Sequence, residues 1–591
     1  MCGIAGVAER ADTVPGHLAN PETLSRLAAA LAHRGPDGQG HVQFGRVGLV
    51  HTRLAFIDLA GGQQPIFAGP AAIVANGEIY NDLALRAAMP EVRFATGSDC
   101  EPPLHLWLRE GAAYARALRG MYAIAIHERG ADTLVLSRDP FGIKPLYFVE
   151  RPDGLAFASE PQALLAAGLA GRGVRPERLR ELLQLQFTTG ADTIFPDIRR
   201  VLPGETLRIA GGRVLSRERL PALPEGPPEV IDEPAALARL DRALDESVDL
   251  HCRSEVPYGM FLSGGIDSAA VLAAMARRGG APVRAFTAAF DVPGAADESE
   301  TARAMAHSVG ADHEVLRIGA SEVWRHLPRI VAAMDDPVAD YAIIPSWLLA
   351  RQARRSVKAV LCGEGGDELF AGYGRYRHAM RPWWRGRRAM RRHGTFDGLG
   401  GLLREVPSGW RAGFEAAALV AAPGRSRLAA AQAADVADWL PHDLLIKLDR
   451  CLMAHGVEGR TPLIDPQVAA AAFRLPDVLK VRDGRGKYLL RRWVEQHAPA
   501  ARPFAPKQGF TVPIGNWIAA EGARLGTLVA SDEAIAAIAH PDRVRALFVD
   551  AASSRARHAA WTLLFYALWH RAHVRAVPVD GDVFEVLGSA G

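Results

Sequence analysis

This 591-residue chain has few cysteines, few lysines and no long apolar runs. Its five cysteines, Cys2, Cys100, Cys252, Cys362 and Cys451, are odd in number and scattered. Such spacing gives neither a disulfide framework nor a CxxC metal site, and it points to a reducing, cytoplasmic compartment. No uninterrupted apolar stretch reaches about 18 residues, so no membrane-spanning helix is expected. The opening Met1–Arg10 lacks a basic leader before its apolar residues, so no secretory signal is expected. A formal net charge of +3 makes no electrostatic case for a nucleic-acid partner. There is no Gly-x-x-x-x-Gly-Lys-Ser/Thr segment, which excludes a Walker phosphate loop. Only six of the 69 basic residues are lysine, so each lysine stands out against an arginine background.

What is present centres on Tyr258–Ser268, reading Tyr-Gly-Met-Phe-Leu-Ser-Gly-Gly-Ile-Asp-Ser. An apolar strand, Tyr258–Leu262, runs into a small-residue turn, Ser263–Ser268, and then into a helix closed by Arg277, Arg278 and Gly279. A turn at a helix N-terminus presents N–H groups and a positive dipole end to an anion. Gly264 and Gly265 carry no side chain that would hold a phosphate off. Asp267 is a carboxylate where an anion should bind, and a bridging Mg²⁺ resolves the conflict. The hexapeptide Ser263–Ser268 resembles the pyrophosphate loop of ATP pyrophosphatases, which cleave ATP between the α and β phosphates.

At the amino end, Cys2 leads a buried strand. With Met1 removed, Cys2 would carry its own base, because an α-amine with a pKa of about 8 lies beside the thiol. Further on come His33–Gly38, Arg53 beside a strand, Asn76-Gly77-Glu78 after an apolar run, and the polar turn Thr96–Glu101. Each alone is ordinary loop chemistry, Asn-Gly being a common turn. In this order after Met-Cys-Gly-Ile they resemble the class II glutamine amidotransferase domain, and the likeness continues through Arg138–Tyr147 and Phe157–Glu160 to about Pro203–Glu205. That family implies an N-terminal-nucleophile hydrolase, two sheets sandwiched between helices (αββα). It also implies roles: Cys2 thiolate attacks glutamine, and Asn76 with the Gly77 N–H forms the oxyanion hole. Arg53 would hold the α-carboxylate of glutamine, and Asp99 with Glu78 its α-ammonium.

Pro221–Pro234 is rich in proline and acid and reads as an extended linker. Ala235–Leu250 then shows a helical stripe, Leu237, Leu240, Leu244 and Val248. From Tyr258, strands at Val283–Phe290, His313–Ile318 and Lys358–Cys362 alternate with helices. That pattern implies a doubly wound parallel sheet with ligands beyond its C-terminal strand ends. The strand ending at Cys362 opens a second acidic turn, Gly363–Glu368. Asp367 can share the Mg²⁺ with Asp267, and Glu364 can take a proton from attacking ammonia. The segment Tyr373–Arg392, with Trp383 and Trp384, is basic and reads as a solvated helix. His442–Asp465 reads as a helix followed by a loop through Gly459–Pro462. In Asp483–Arg491, Lys487 supplies a mobile point charge suited to a transferring phosphate.

The set Ser263–Ser268, Gly363–Glu368, Asp449–Asp465 and Gly486–Arg491 resembles the synthetase domain of glutamine-hydrolysing asparagine synthetases. The resemblance implies adenosine contacts from Leu262, Ala288 and the Cys362-Gly363 backbone. It places pyrophosphate and Mg²⁺ on Ser263, Gly265, Asp267 and Ser268, the adenylation step on Lys487 and the ammonia step on Glu364. It implies a glutaminase domain at 2–215, a linker at 216–234 and a synthetase domain at 235–591. The substrates would be glutamine, ATP and aspartate, with a peptide or cell-surface sugar carboxylate as the alternative acceptor. Asp335–Pro345 resembles a segment near the acceptor pocket, and a homodimer is the family expectation. No motif is legible in Ala519–Gly591.

Overall fold

The computed structural model describes residues 2–131, 133–292, 298–381, 384, 393–505 and 512–589. The expectations on Met1, on Trp383 and on half of the basic run to Arg392 lie outside the described residues. The amino-terminal part builds two six-stranded antiparallel sheets. One is ordered Ile198–Arg200, Tyr147–Arg151, Gly154–Ala158, Gly3–Glu9, Val47–Arg53 and Gly38–Phe44. The other is ordered Arg213–Arg219, Glu205–Ala210, Thr133–Arg138, Gly120–Glu128, Ala71–Ile79 and Ile66–Ala68.

Side chains alternate across each strand, so both faces need cover. Ile4, Leu49 and Phe157 of the first sheet meet Val74, Ala125 and Leu136 of the second between the layers. Ala5, Val7 and Val50 face outward under the helix Pro21–Leu31, and Ile73, Ala75 and Ile124 do so under Pro102–Glu110. The result is the expected αββα layering. It also explains why Gly3–Glu9 and Val47–Arg53 read as continuously buried strands.

The later part holds a five-stranded parallel sheet, ordered Asp312–Ile318, Arg284–Phe290, Tyr258–Phe261, Ala359–Leu361 and Glu458–Arg460. Met260, Ala285 and Leu361 enter one core with Val271 and Trp493. Phe286, Ala288 and Val360 enter the other with Leu348 and Leu452. Strand order reverses between Tyr258–Phe261 and Ala359–Leu361, the crevice where open sheets of this kind bind ligands. Both acidic turns leave the sheet at that point. Among the described residues, no helix is long and apolar enough to cross a membrane.

Three expectations need correction. The strand Arg213–Arg219 and the helix Glu233–His251 encroach on the expected linker, leaving 220–232 without regular structure. Pro234 belongs to the first helical turn, where its missing N–H costs nothing. Second, Glu458–Arg460, expected in a loop, is the fifth strand of the sheet. Its charges disguised it, because they are buried by partners distant in sequence. Third, the turn after Phe261 ends at Gly265 rather than Ser268, since the helix Ile266–Arg277 starts three residues earlier than expected.

Candidate functional site

The first cluster forms where two strand ends meet. Gly3 pairs with Thr52, and the Gly3 N–H donates to Thr52 Oγ1 at 3.1 Å, which sets Cys2 beside Arg53. The Cys2 backbone nitrogen donates to Asn76 Oδ1 at 3.1 Å. Asn76 is buried, and its Nδ2 has no partner among the described residues. A buried, unspent amide donor beside a nucleophile is what an oxyanion needs. At Gly77 a Cβ would come within 2.0 Å of the Met121 carbonyl oxygen, so this close strand approach admits only glycine. Burial pushes the Cys2 thiol up, so it rests protonated until a base removes the proton.

The other residues expected at this site hold partners. The Arg53 guanidinium donates to the carbonyls of Asp58 at 2.6 Å and Leu59 at 3.1 Å, clasping the loop at 57–63. Asp99 Oδ2 accepts the Ile79 N–H at 2.7 Å, and Glu78 Oε1 lies 3.1 Å from Arg460 Nη2. Burial, then Asp99, raises Glu78 well above the carboxylate range, and burial pushes Asp99 up to about 6. Two buried acids side by side favour the arrival of a cation.

The second cluster lies at the sheet's switch point. A Cβ on Gly363 would fall 2.9 Å from both Asp267 Cβ and the Ser268 nitrogen, so the two glycine turns are in contact. Ser263 and Ser268 hydroxyls bond each other at 3.0 Å, and Gly265 caps the helix without a side chain, leaving its N-terminus accessible. The Lys487 ammonium bonds Asp267 and lies 2.7 Å from Asp367 Oδ1. Burial opposes that charge, but the two carboxylates outweigh it and hold the ammonium above its ordinary range. Lys487 sits at φ +59°, a left-handed conformation uncommon for a side-chain residue, and its N–H donates to the Phe370 carbonyl at 2.9 Å. Strain of that kind concentrates at functional sites.

Two cavities open from this pair of turns. The smaller, about 180 Å³, takes in Gly264, Gly265, Asp267, Lys487 and Arg491. The larger, about 380 Å³, is lined by Leu262, Ala288, Cys362, Gly363, Glu364 and Lys447, among others. Burial raises the Glu364 carboxyl above its ordinary range. Lys447 Nζ donates to Asp340 Oδ2 at 2.7 Å.

Residues 239–571 match the asparagine synthase family, and residues 1–218 match the glutamine amidotransferase domain. The chain belongs to the asparagine synthase family. It is 34% identical, over 97% of both chains, to a Mycobacterium tuberculosis protein provisionally named a glutamine-hydrolysing asparagine synthetase. It is 30% identical, again over 97% of both, to Bacillus subtilis glutamine-hydrolysing asparagine synthetase 1. A Penicillium rubens amidase is 31% identical over 64% of this chain and 60% of its own.

In this asparagine synthase family member the two clusters share a buried polar interface that sequence reasoning missed. Arg34 Nε donates to the Cys2 carbonyl at 3.1 Å, while its fork donates to Glu160 at 2.6 Å and Asp449 at 2.8 and 3.0 Å. Arg450 Nη2 donates to the Ser159 carbonyl at 3.4 Å, and Arg200 reaches Asp336 at 2.6 Å. Arg119 forks onto Asp465 at 2.8 and 2.9 Å. Arginine is too common here to signal such roles. Lys447 does carry a signal, a lysine in a lysine-poor chain.

Proposed function

We propose that this chain is a glutamine-dependent asparagine synthetase: aspartate, glutamine, ATP and water give asparagine, glutamate, AMP and pyrophosphate. The observation that carries the reading is the convergence on Lys487 of Asp267 and Asp367, which both line the larger cavity. At the first site, the Cys2 sulfur attacks the glutamine carboxamide. The Asn76 amide and Gly77 N–H stabilise the resulting oxyanion. The Cys2 α-amine, exposed once Met1 is gone, moves the thiol proton to the departing ammonia, and water then cleaves the thioester. Arg53 binds the substrate carboxylate, and Glu78 and Asp99 bind its ammonium.

At the second site, adenosine lies along Leu262, Ala288 and the Cys362-Gly363 backbone. The phosphates lie on Ser263, Gly265, Ser268 and the helix end behind them. A β-carboxylate oxygen of aspartate attacks the α-phosphorus and pyrophosphate leaves, its charge met by Lys487. Ammonia then attacks the acyl carbon, Glu364 takes a proton, and AMP departs. Lys447 and Asp340 stand beside Glu364 to meet the charged groups of the acceptor.

The residues present fit Mg²⁺. Two carboxylates already converge on one cation, and this ion binds through one or two carboxylates plus substrate phosphates. It therefore needs no cluster of three acidic or imidazole ligands, and none occurs among the described residues. Asp267 and Asp367 would hold it, and it would neutralise phosphate charge.

The test is pyrophosphate release from ATP and Mg²⁺ with glutamine, with and without aspartate. Aspartate-dependent release is expected. Glutaminase activity without it would point to a different carboxylate acceptor, and neither activity would end the proposal.

A further inference from the structure

Arg460 belongs to the edge strand Glu458–Arg460, and it is 1% exposed. Its guanidinium is fixed from the synthetase half of the chain on two sides. Nε donates to Glu458 Oε1 at 2.5 Å, and Nη1 donates to the carbonyls of His251 at 2.8 Å and Arg253 at 2.7 Å. The remaining nitrogen, Nη2, projects across the interface to Glu78 Oε1 at 3.1 Å. On its backbone side, the Arg460 carbonyl accepts the Cys362 N–H at 2.8 Å. Cys362 is the residue from which the Gly363–Glu368 turn departs, and it lines the larger cavity. One residue is thus hydrogen-bonded through its backbone to the root of the nucleotide turn and ion-paired through its side chain with the glutamine-site carboxylate.

We propose that Arg460 is a positioning residue for glutamine, supplied by the opposite half of the chain: it fixes Glu78, aimed to receive the α-ammonium of glutamine. The need for it is electrostatic. Glu78 is buried with Asp99 close by, and two such carboxylates cannot both stay ionised without a nearby cation. Among the groups facing Glu78, Asp99 and Glu458 are acids and Arg460 is a cation at ion-pair distance. Arg53, the other guanidinium of this site, bonds the 57–63 loop and is the group assigned to the substrate carboxylate. Lysine could not replace Arg460, because a single ammonium cannot span Glu458, two carbonyls and Glu78.

This inference rests on the functional reading above. Its test is glutaminase and synthetase kinetics of Arg460→Gln, Arg460→Lys, Glu78→Gln and the Arg460→Gln/Glu78→Gln double variant, in the full chain. Arg460→Gln should raise the glutamine KM about tenfold or more, the usual scale for a lost charge-assisted contact. Its ammonia-dependent synthesis should keep its KM values for ATP and aspartate, and Arg460→Lys should fall between wild type and Arg460→Gln. In the Glu78→Gln background, Arg460→Gln should add little to the glutamine KM. Equal losses with glutamine and with ammonia would mark Arg460 as structural only and overturn the proposal. So would an unmoved glutamine KM in a folded variant, or multiplicative effects in the double variant. If Arg460→Gln does not fold, the Glu78→Gln variant still decides: an unchanged glutamine KM there removes the basis for the proposal. A wild-type protein that hydrolyses no glutamine would overturn the functional reading itself.

Discussion

At Cys2 burial pushes the thiol up, so the site needs a local base. That base is not required for ammonia to be used elsewhere. Cys2→Ala should therefore abolish glutamine-dependent synthesis and leave ammonia-dependent synthesis within about twofold, read as asparagine formed from each nitrogen source. Loss of both would count against separate sites. Lys487 makes the complementary case. It is held by two carboxylates and a strained backbone, and only a compact ammonium fits, since Gly372 lies so close that a Cβ there would reach Lys487 Cε at 2.1 Å. Lys487→Arg should lower aspartate-dependent pyrophosphate release by about a hundredfold or more, the scale of a lost transition-state charge contact, with glutaminase activity retained.

Among the elements, the helix Ala556–Trp569, near the carboxy end, shows what sequence periodicity could not. Almost every residue of it is buried, so it has no polar face to reveal its orientation. The fold gives this unassigned region a task. Trp561 Nε1 donates to the Ala339 carbonyl at 2.6 Å and Trp569 Nε1 to the Met334 carbonyl at 2.9 Å, bracing the 335–345 segment that carries Asp340. Trp561→Ala should cost about 3–5 kcal/mol and lower Tm, the scale for removing a large core aromatic. Because Ala339 adjoins Asp340, the folded fraction should also show a raised acceptor KM. A variant with full stability would show that the helix packs loosely. The edge strand Glu458–Arg460 was hidden for the opposite reason, since charged residues rarely announce a buried strand.

For the whole molecule, the interface rests on buried ion pairs rather than on apolar contact alone. Breaking one such pair from one side is costly. Burial opposes the charge on Glu160, yet His33, Arg450 and Arg34 outweigh it and hold the carboxyl well below 4.5. Asp449 and Asp336 are likewise lowered, against burial, chiefly by Arg34 and Arg200 respectively. Depressed folded-state values mean that these acids contribute stability above their unfolded pKa, about 4, and lose it as pH falls through the lower folded values. Asp335 opposes them, since burial pushes it up to about 6. Denaturant midpoints should therefore fall steeply below about pH 4. The decline should be shallower in Arg34→Met, which has already lost the pair, and an identical pH profile in both proteins would refute the assignment.

How much was legible beforehand follows from distance along the chain. The strand, glycine turn and helix at Tyr258–Arg277 and the alternation that builds the parallel sheet are local patterns, written in neighbouring residues whose spacing sets backbone geometry, whereas Asn76-Gly77, a common turn pair in sequence, lies inside the strand Ala71–Ile79. Folding alone brought Asp267 to Asp367, joined Arg34 to Asp449 and carried Arg460 to Glu78, because the sites and the interface between them are made of charges far apart in sequence. Buried charges become affordable only when a partner arrives from elsewhere in the fold, and no local pattern records that meeting.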